Sequence, residues 1–181
     1  MPIGAVLLFE DETLLRWFPV LRRAWGLRGE EVRIGISGRN AKRVLFGVIN
    51  ARTGHRILQR SVNMRQEQFH SFLRLLRRRY GRRPIWMLLD EAPCHLAPRS
   101  QALAKQLDIE LVWLPKQCSE LNAMDQLWRE LKGGISANYQ YRDIDEHAMF
   151  AEEWIQSLTR TEALRKAGIL SKNFWLKSFV N

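Results

Sequence analysis

The segment Pro84-Ile85-Trp86-Met87-Leu88-Leu89-Asp90 decides the fold of this 181-residue chain. Its almost uninterrupted apolar run is typical of a central strand that is covered on both faces of a sheet. The run ends at Asp90, and open α/β sheets bind their ligands at the ends of such strands. The segment therefore predicts an α/β protein with a functional acid at one edge of its sheet.

The flanking sequence predicts how this strand is covered. We expect further strands at 3–9, 43–50, 55–62 and 109–114, with a hairpin turn at 52–54. Apolar residues at helical spacing and end signals predict helices at 66–80, 98–107, 122–135, 146–158 and 159–168. This order of elements favours a mixed sheet with helices on both faces.

Two more acids stand beside apolar runs. Asp11 follows the apolar stretch 5–9, and Asp125 lies in the first turn of the helix that Asn122 would cap. Converging carboxylates repel one another unless divalent cations lie between them, and Mg²⁺ prefers oxygen ligands. In two-metal phosphoryl transfer, one ion activates the attacking group and the other stabilises the leaving oxygen. Asp11, Asp90 and Asp125 are therefore candidate metal ligands and catalytic acids.

Each of these acids also has a structural interpretation. Asp125 could serve only the cap that Asn122 begins. Asp11 could be one solvated acid among residues 10–12, and Asp90 could be a turn residue ahead of Pro93. The combination favours a metal site, because all three structural interpretations would have to hold together.

The charge of the chain indicates a polyanionic partner. Lys and Arg number 29 against 19 acids, a net charge of +10, which favours nucleic acid over a merely solvated basic surface. Cys94 and Cys118 are too few and too far apart for a zinc site or a disulfide framework. The apolar start meets the acids at 10–12 too soon for a signal peptide or a membrane span. We therefore expect a cytoplasmic, nucleoid-associated protein without a membrane partner.

Several segments resemble insertion-sequence transposases of the Tc/mariner superfamily. Residues 89–95, LDEAPCH, resemble their LDNAPxH segment, with Glu91 in place of Asn. Residues 113–132 resemble their WLPPYSPELNPIEQxWxxLK block, although Cys118-Ser119 replaces Ser-Pro and Ala123 replaces Pro. Residues 9–13 are similar to the first motif of that family, and residues 23–29 to a downstream RxW…G element.

The resemblance implies an RNase H-like fold in which Asp11, Asp90 and Asp125 are the catalytic acids. Position 125 minus position 90 is 35, which leaves 34 residues between them, similar to the mariner branch with its third Asp. It implies cleavage of double-stranded DNA at transposon ends with two Mg²⁺ or Mn²⁺ ions, then transfer of the 3′-hydroxyl into target DNA. It also implies a homo-oligomer on DNA. We expect one catalytic domain over 1–181 without the N-terminal helix-turn-helix domain, which a separate subunit could supply.

Basic residues are candidate DNA contacts, although arginines on the helix 66–80 could equally form a solvated face. The candidates are Arg39, Lys42, Arg43, Arg74, Arg77, Arg78, His95, Lys116 and Lys132. His95 could instead orient a carboxylate or simply begin a helix. Two alternative functions stay open: a generic RNase H-like nuclease without strand transfer, and a catalytically silent DNA-binding or regulatory transposase remnant.

Overall fold

The computed structural model describes residues 4–23, 25, 27–29, 31–38 and 40–180. Its sheet consists of β1 Val6–Arg16, β2 Lys42–Asn50, β3 Arg56–Ser61, β4 Ile85–Leu89 and β5 Ile109–Trp113. The strand order is β3-β2-β1-β4-β5. The pairs β1–β2 and β2–β3 are antiparallel, whereas β1–β4 and β4–β5 are parallel, so the predicted mixed sheet is confirmed.

The predicted helices are confirmed to within two residues at each end. The helices are α1 Gln66–Tyr80, α2 Pro93–Leu96, α3 Pro98–Gln106, α4 Ala123–Gly134, α5 Ile144–Ser157, α6 Arg160–Lys166 and α7 Lys177–Val180. A single 3₁₀ turn, Ser119–Leu121, precedes α4. The short helices α2 and α7 are not among the predicted elements. Over the described ranges, no helix is long and apolar enough to cross a membrane.

Helices cover both faces of the sheet. Leu8 and Met87 pack on one face with apolar residues of α1 and α3, such as Phe72. Phe9 packs on the other face with residues of α4 and α5, such as Trp128. Successive residues of β1 therefore enter opposite cores, which explains the continuous apolar runs of the central strands.

Strand β1 is longer than the sequence predicts. The apolar pattern ends β1 at residue 9, before the acids, whereas the strand continues to Arg16. Pairing with β2 stabilises this extension of β1, since Asp11 lies opposite Gly47 and Arg16 opposite Lys42. The ladder with β4 ends earlier, at the pair of Phe9 and Leu88. Asp11 therefore lies inside a strand rather than after one, in the stretch where β1 extends beyond β4.

Candidate active site

The fold brings the three candidate acids to one cavity. Asp11, Asp90 and Asp125 all line a cavity of about 380 Å³. Asp11 and Asp90 each lie two residues beyond the Phe9–Leu88 pair of the parallel strands β1 and β4, Asp11 within β1 and Asp90 directly after β4. Residues at the same distance from a paired position in parallel strands lie at the same level of the sheet, so these two acids reach the same edge. The predicted convergence of these residues is therefore a feature of the fold.

Helix α4 supplies Asp125, and Asn122 fixes where that helix begins. The Oδ1 atom of Asn122 accepts from the backbone N–H of Met124 at 3.0 Å. Its Nδ2 donates to the carbonyl oxygen of Glu10 at 2.8 Å. The predicted cap is confirmed, and the same side chain ties α4 to β1 one residue before Asp11. By capping α4 and binding β1, Asn122 thus helps to position Asp125 at the cavity.

The electrostatics of the cavity reflect crowded negative charge. Burial, followed by repulsion from Glu12, Asp125 and Asp90, raises the pKa of Asp11 to about 8. A hydrogen bond from His95 lowers the pKa of Asp90 despite the partial burial of that carboxylate. Carboxylate oxygens line the site, and one acid stays protonated because burial and its neighbours disfavour a further negative charge. A hard divalent cation prefers oxygen ligands and would compensate this crowded negative charge. The residues present therefore fit such an ion.

Three further charged residues border these acids. Arg129 donates to Oδ2 of Asp125 at 2.6 Å, one helical turn away on α4. Glu91, which also lines the cavity, pairs with Lys116 at 3.2 Å. The Lys116 side chain is 78% exposed, so the rim of the cavity carries an accessible positive charge. The additional negative charge of Glu91 is offset by this ion pair.

A buried layer lies behind the cavity, and sequence reasoning missed its two glutamates. His95 is 0% exposed, and its ring nitrogens lie 3.1 Å from Oδ1 of Asp90 and 3.0 Å from Oε1 of Glu12. Glu10 is also fully buried, and neither of its carboxylate oxygens has a hydrogen-bond partner among the described residues. The period of two in a strand could have grouped Glu10 with Glu12, on the side opposite Asp11.

The pKa values in this layer follow from burial and close acids. Burial, and then the charge of Glu12, raise the pKa of Glu10 well above its ordinary value. Burial alone would lower the pKa of His95, but Glu10, Asp90, Cys94 and Glu12 outweigh it and raise that pKa. Because His95 is buried, it has no surface to offer to DNA. Its contacts match the alternative that it orients a carboxylate.

The other candidate DNA contacts are spread over several parts of the molecule. Lys116 lines the cavity, and Lys132 lines a separate one beside the end of β1. Lys42, Arg74 and Arg78 are exposed. Arg43 is held by both carboxylate oxygens of Asp145, at 2.7 and 2.8 Å. Arg39 lies outside the described residues.

Arg77 has a structural role at the far end of α1. Its guanidinium donates to the carbonyl oxygens of Gly81, Arg83 and Asp108 at 2.6 to 3.2 Å. Those carbonyls precede β4 and β5, at the edge of the sheet opposite Asp90. Phe69, near the start of α1, instead packs on His95 with ring centroids 4.5 Å apart. A DNA contact by the arginines at the end of α1 would therefore involve a surface remote from the cavity.

A mixed five-stranded sheet of this order, with acids gathered at the edge where β1 and β4 diverge, defines an RNase H-like enzyme domain. The chain belongs to the DDE superfamily endonuclease family, whose model matches residues 6–147. It is 26% identical over 134 residues to the Insertion element IS630 uncharacterized 39 kDa protein of Shigella sonnei. That match covers 73% of this chain but 39% of the relative.

Solved structures of the Mos1 transposase share this fold. The mariner Mos1 paired-end complex with Mg superposes with a TM-score of 0.72 at 16% identity, over 97% of this chain and 56% of that chain. The Mos1 paired-end complex with the left transposon end gives 0.70 at 15% identity, over 93% and 53%. The isolated Mos1 catalytic domain gives 0.64 at 14% identity, over 91% and 76%. This chain thus spans only part of its full-length relatives.

Proposed function

We propose that this chain is the catalytic domain of a DNA transposase. It would cleave double-stranded DNA at transposon ends and join the freed 3′-hydroxyl to target DNA. The observation that carries the proposal is the shared cavity of Asp11, Asp90 and Asp125, in a chain of the DDE endonuclease family. The net charge of +10 supports a polyanionic substrate.

The three carboxylates are the groups we propose for holding two Mg²⁺ or Mn²⁺ ions. Hydrogen bonds engage Oδ1 of Asp90 and Oδ2 of Asp125, so the second oxygen of each is the proposed ligand atom. Bound divalent ions would supply Lewis-acid activation of the attacking hydroxyl or water and would stabilise the leaving oxygen. A bound divalent charge would offset the burial and the repulsion from neighbouring acids that raise the pKa of Asp11, so Asp11 would lose its proton on binding.

The chain's own residues have distinct proposed roles around this centre. Asp11 lies within β1 and Asp90 directly follows β4, so the sheet fixes their backbone positions while the cavity remains open to a DNA strand. Lys116 at the rim would contact a phosphate, and its present partner Glu91 would then face the cavity. Recognition of transposon ends by a helix-turn-helix subunit and assembly as a homo-oligomer on DNA belong to the same proposal.

Metal-dependent nicking of plasmid DNA by the purified chain tests the nuclease step. We expect nicking with Mn²⁺ or Mg²⁺, none with EDTA, and none from Asp90→Asn with either ion. Asp108→Asn is the matched control, because it makes the same chemical change just before β5, beside the start of β4 and at the far edge of the sheet. Undiminished nicking by Asp90→Asn would overturn the assignment of the site.

A strand-transfer assay separates the proposal from its alternatives. A duplex with a pre-cut 3′-hydroxyl end is incubated with plasmid, and joined products are detected by a label on the duplex. Joining supports a transposase, and nicking without joining supports a generic RNase H-like nuclease. Absence of both nicking and Mn²⁺ binding supports a silent regulatory remnant.

A further inference from the structure

The side chain of His95 connects the proposed active site to the buried acids behind it. Its Nδ1 lies 3.1 Å from both the carboxylate Oδ1 and the carbonyl oxygen of Asp90. Its Nε2 lies 3.0 Å from Oε1 of Glu12 and 3.5 Å from Oε2 of Glu10. Each ring nitrogen therefore faces oxygen atoms of acidic residues and is close enough to donate a hydrogen bond to one of them.

The position of the ring is set by its surroundings as well. Phe69 packs on one side with ring centroids 4.5 Å apart, and neither His95 nor Phe69 is exposed to solvent. A buried ring with acid oxygens at both ends has little freedom to rotate. Asp90 contrasts with this, since its side chain is 60% exposed at the cavity and has few constraints of its own. Two hydrogen bonds to Oδ1 orient the Asp90 carboxylate. One comes from His95 and the other from the N–H of Ala92 at 3.0 Å.

We propose that His95 is a positioning residue for Asp90. Its Nδ1–H holds Oδ1, so that Oδ2 is presented to the cavity, while its Nε2–H, anchored on Glu12, holds the ring. The inference rests on the proposed role of Asp90 as a metal ligand. Residues that orient a ligand in this way change metal affinity about 10- to 100-fold when they are replaced.

A metal ion bound by the buried cluster itself is the competing explanation. Ligand atoms of Glu12, Cys94 and His95 all lie within 4.8 Å of one another. Two N or O ligands of a tetrahedral ion, each about 2.0 Å from it, would lie roughly 3.3 Å apart. The 3.0 Å separation of Nε2 and Oε1 is instead an ordinary hydrogen-bond length, which favours the hydrogen-bonded bridge.

Two amide substitutions at His95 separate its two hydrogen bonds. The amide nitrogen of Asn lies near the position of Nδ1, so His95→Asn keeps a donor toward Asp90. The amide nitrogen of Gln lies near the position of Nε2, so His95→Gln keeps a donor toward Glu12 and loses the one toward Asp90. Both variants lose the same ring packing on Phe69. Weaker Mn²⁺ binding by His95→Gln than by His95→Asn therefore reports the lost contact with Asp90, because loss of the Glu12 contact would act in the opposite direction.

Mn²⁺ affinity of the purified chain, measured by calorimetry, is the readout, with unfolding midpoints recorded in parallel. We expect His95→Gln to bind Mn²⁺ at least 10-fold more weakly than wild type, and His95→Asn to lie closer to wild type. Phe72→Leu, which removes buried packing on Phe46 away from His95, should keep the wild-type affinity. Equal affinities for His95→Gln and wild type, or equal losses in the two amide variants, would overturn the inference.

Three other outcomes are informative. Wild-type protein that binds no Mn²⁺ overturns the proposed function and this inference with it. One zinc ion per chain that copurifies with wild type and is lost in Cys94→Ser assigns His95 to a metal site and overturns the positioning role. If His95→Gln does not fold, His95→Asn decides the question, because it keeps the donor to Asp90. A loss of Mn²⁺ affinity of 10-fold or more in His95→Asn, with Phe72→Leu unchanged, then also overturns the positioning role.

Discussion

Gly47 faces Trp128 so closely that a Cβ atom on Gly47 would lie 2.6 Å from Cζ2 of the Trp128 ring. Gly47 is also the residue opposite Asp11 in the β1–β2 ladder. Trp128 lies three residues after Asp125 on α4, where it is almost fully buried. The missing side chain of Gly47 therefore determines how closely α4, and with it Asp125, approaches Asp11.

Replacing this glycine should disturb both stability and the site. A methyl group in Gly47→Ala would force Trp128 and Met124 outward, because both lie within 3 Å of the added atom. Overpacking of this kind costs about 1 to 3 kcal/mol of the free energy of unfolding. We expect a lower urea midpoint and weaker Mn²⁺ binding. Gly35→Ala, which meets no atom within 4 Å, should leave both unchanged, and an equal midpoint for the two variants would contradict the prediction.

Asn122 should contribute through two separable hydrogen bonds. Asn122→Ser keeps a capping hydroxyl for Met124 but is too short to donate to the Glu10 carbonyl, whereas Asn122→Ala loses both contacts. We expect Asn122→Ala to be about 1 kcal/mol less stable than Asn122→Ser, since that is the typical value of a helix cap. Asn122→Ser should in turn be less stable than wild type. Urea denaturation of the three proteins measures this order, and equal stability of Asn122→Ser and Asn122→Ala would contradict it.

Local patterns predicted much of the fold. Helix α1 has the bounds that apolar spacing gives, because Phe69, Phe72, Leu73 and Leu76 form one buried face and Gly81 ends the helix. Strand β4 was predictable for the same reason, since both of its faces are buried against helices. The convergence of Asp90 with Asp125 followed from their places at a strand end and in a first helical turn.

The features that the sequence did not predict depend on tertiary partners. Three consecutive acids at 10–12 suggest solvated side chains, yet Glu10 is fully buried and the Glu12 side chain is only 2% exposed. The burial of these acids is possible because His95 contacts them. His95 lies 83 residues from Glu12 in the sequence, and no local pattern links the two residues. Arg77 shows the same limit, because its role depends on carbonyls of the loops before β4 and β5.

The raised pKa of Asp11 predicts a pH-dependent stability. In the folded protein this pKa is about 8, whereas the unfolded chain has an ordinary value near 3.9. Between these values the folded state retains a proton that the unfolded state has lost, so folding stability decreases as pH rises. The slope attributable to one such group is at most about 1.4 kcal/mol per pH unit. Above pH 8 the contribution of Asp11 should level off.

Denaturation with EDTA at pH 5, 6.5 and 8 checks this sign. Asp11→Asn lacks the titrating group, so its stability relative to wild type should increase through the series. The same proton competes with a cation, so Mn²⁺ affinity of wild type should rise with pH up to about 8. Parallel pH profiles of wild type and Asp11→Asn would contradict the assigned pKa.

The ion pair of Arg129 and Asp125 leads to a prediction about metal affinity. Arg129 lies 2.6 Å from Oδ2 of Asp125 and 3.2 Å from the hydroxyl of Ser119, so a positive charge borders the cavity. Arg129→Gln removes that charge, and at the edge of a solvent-exposed site the change is worth on the order of 1 kcal/mol, or roughly fivefold in affinity. We expect Mn²⁺ to bind several-fold more tightly, as measured by calorimetry at low ionic strength.

Arg60→Gln is the matched control for this measurement. It makes the same change in net charge and breaks an ion pair of 3.1 Å with Glu152, but it lies on the edge strand β3, separated from β1 by β2. Its Mn²⁺ affinity should stay close to wild type, and added salt should reduce the gain in Arg129→Gln because exposed charges are screened. Weaker Mn²⁺ binding by Arg129→Gln would mean that the guanidinium orients Asp125 more than it repels the cation.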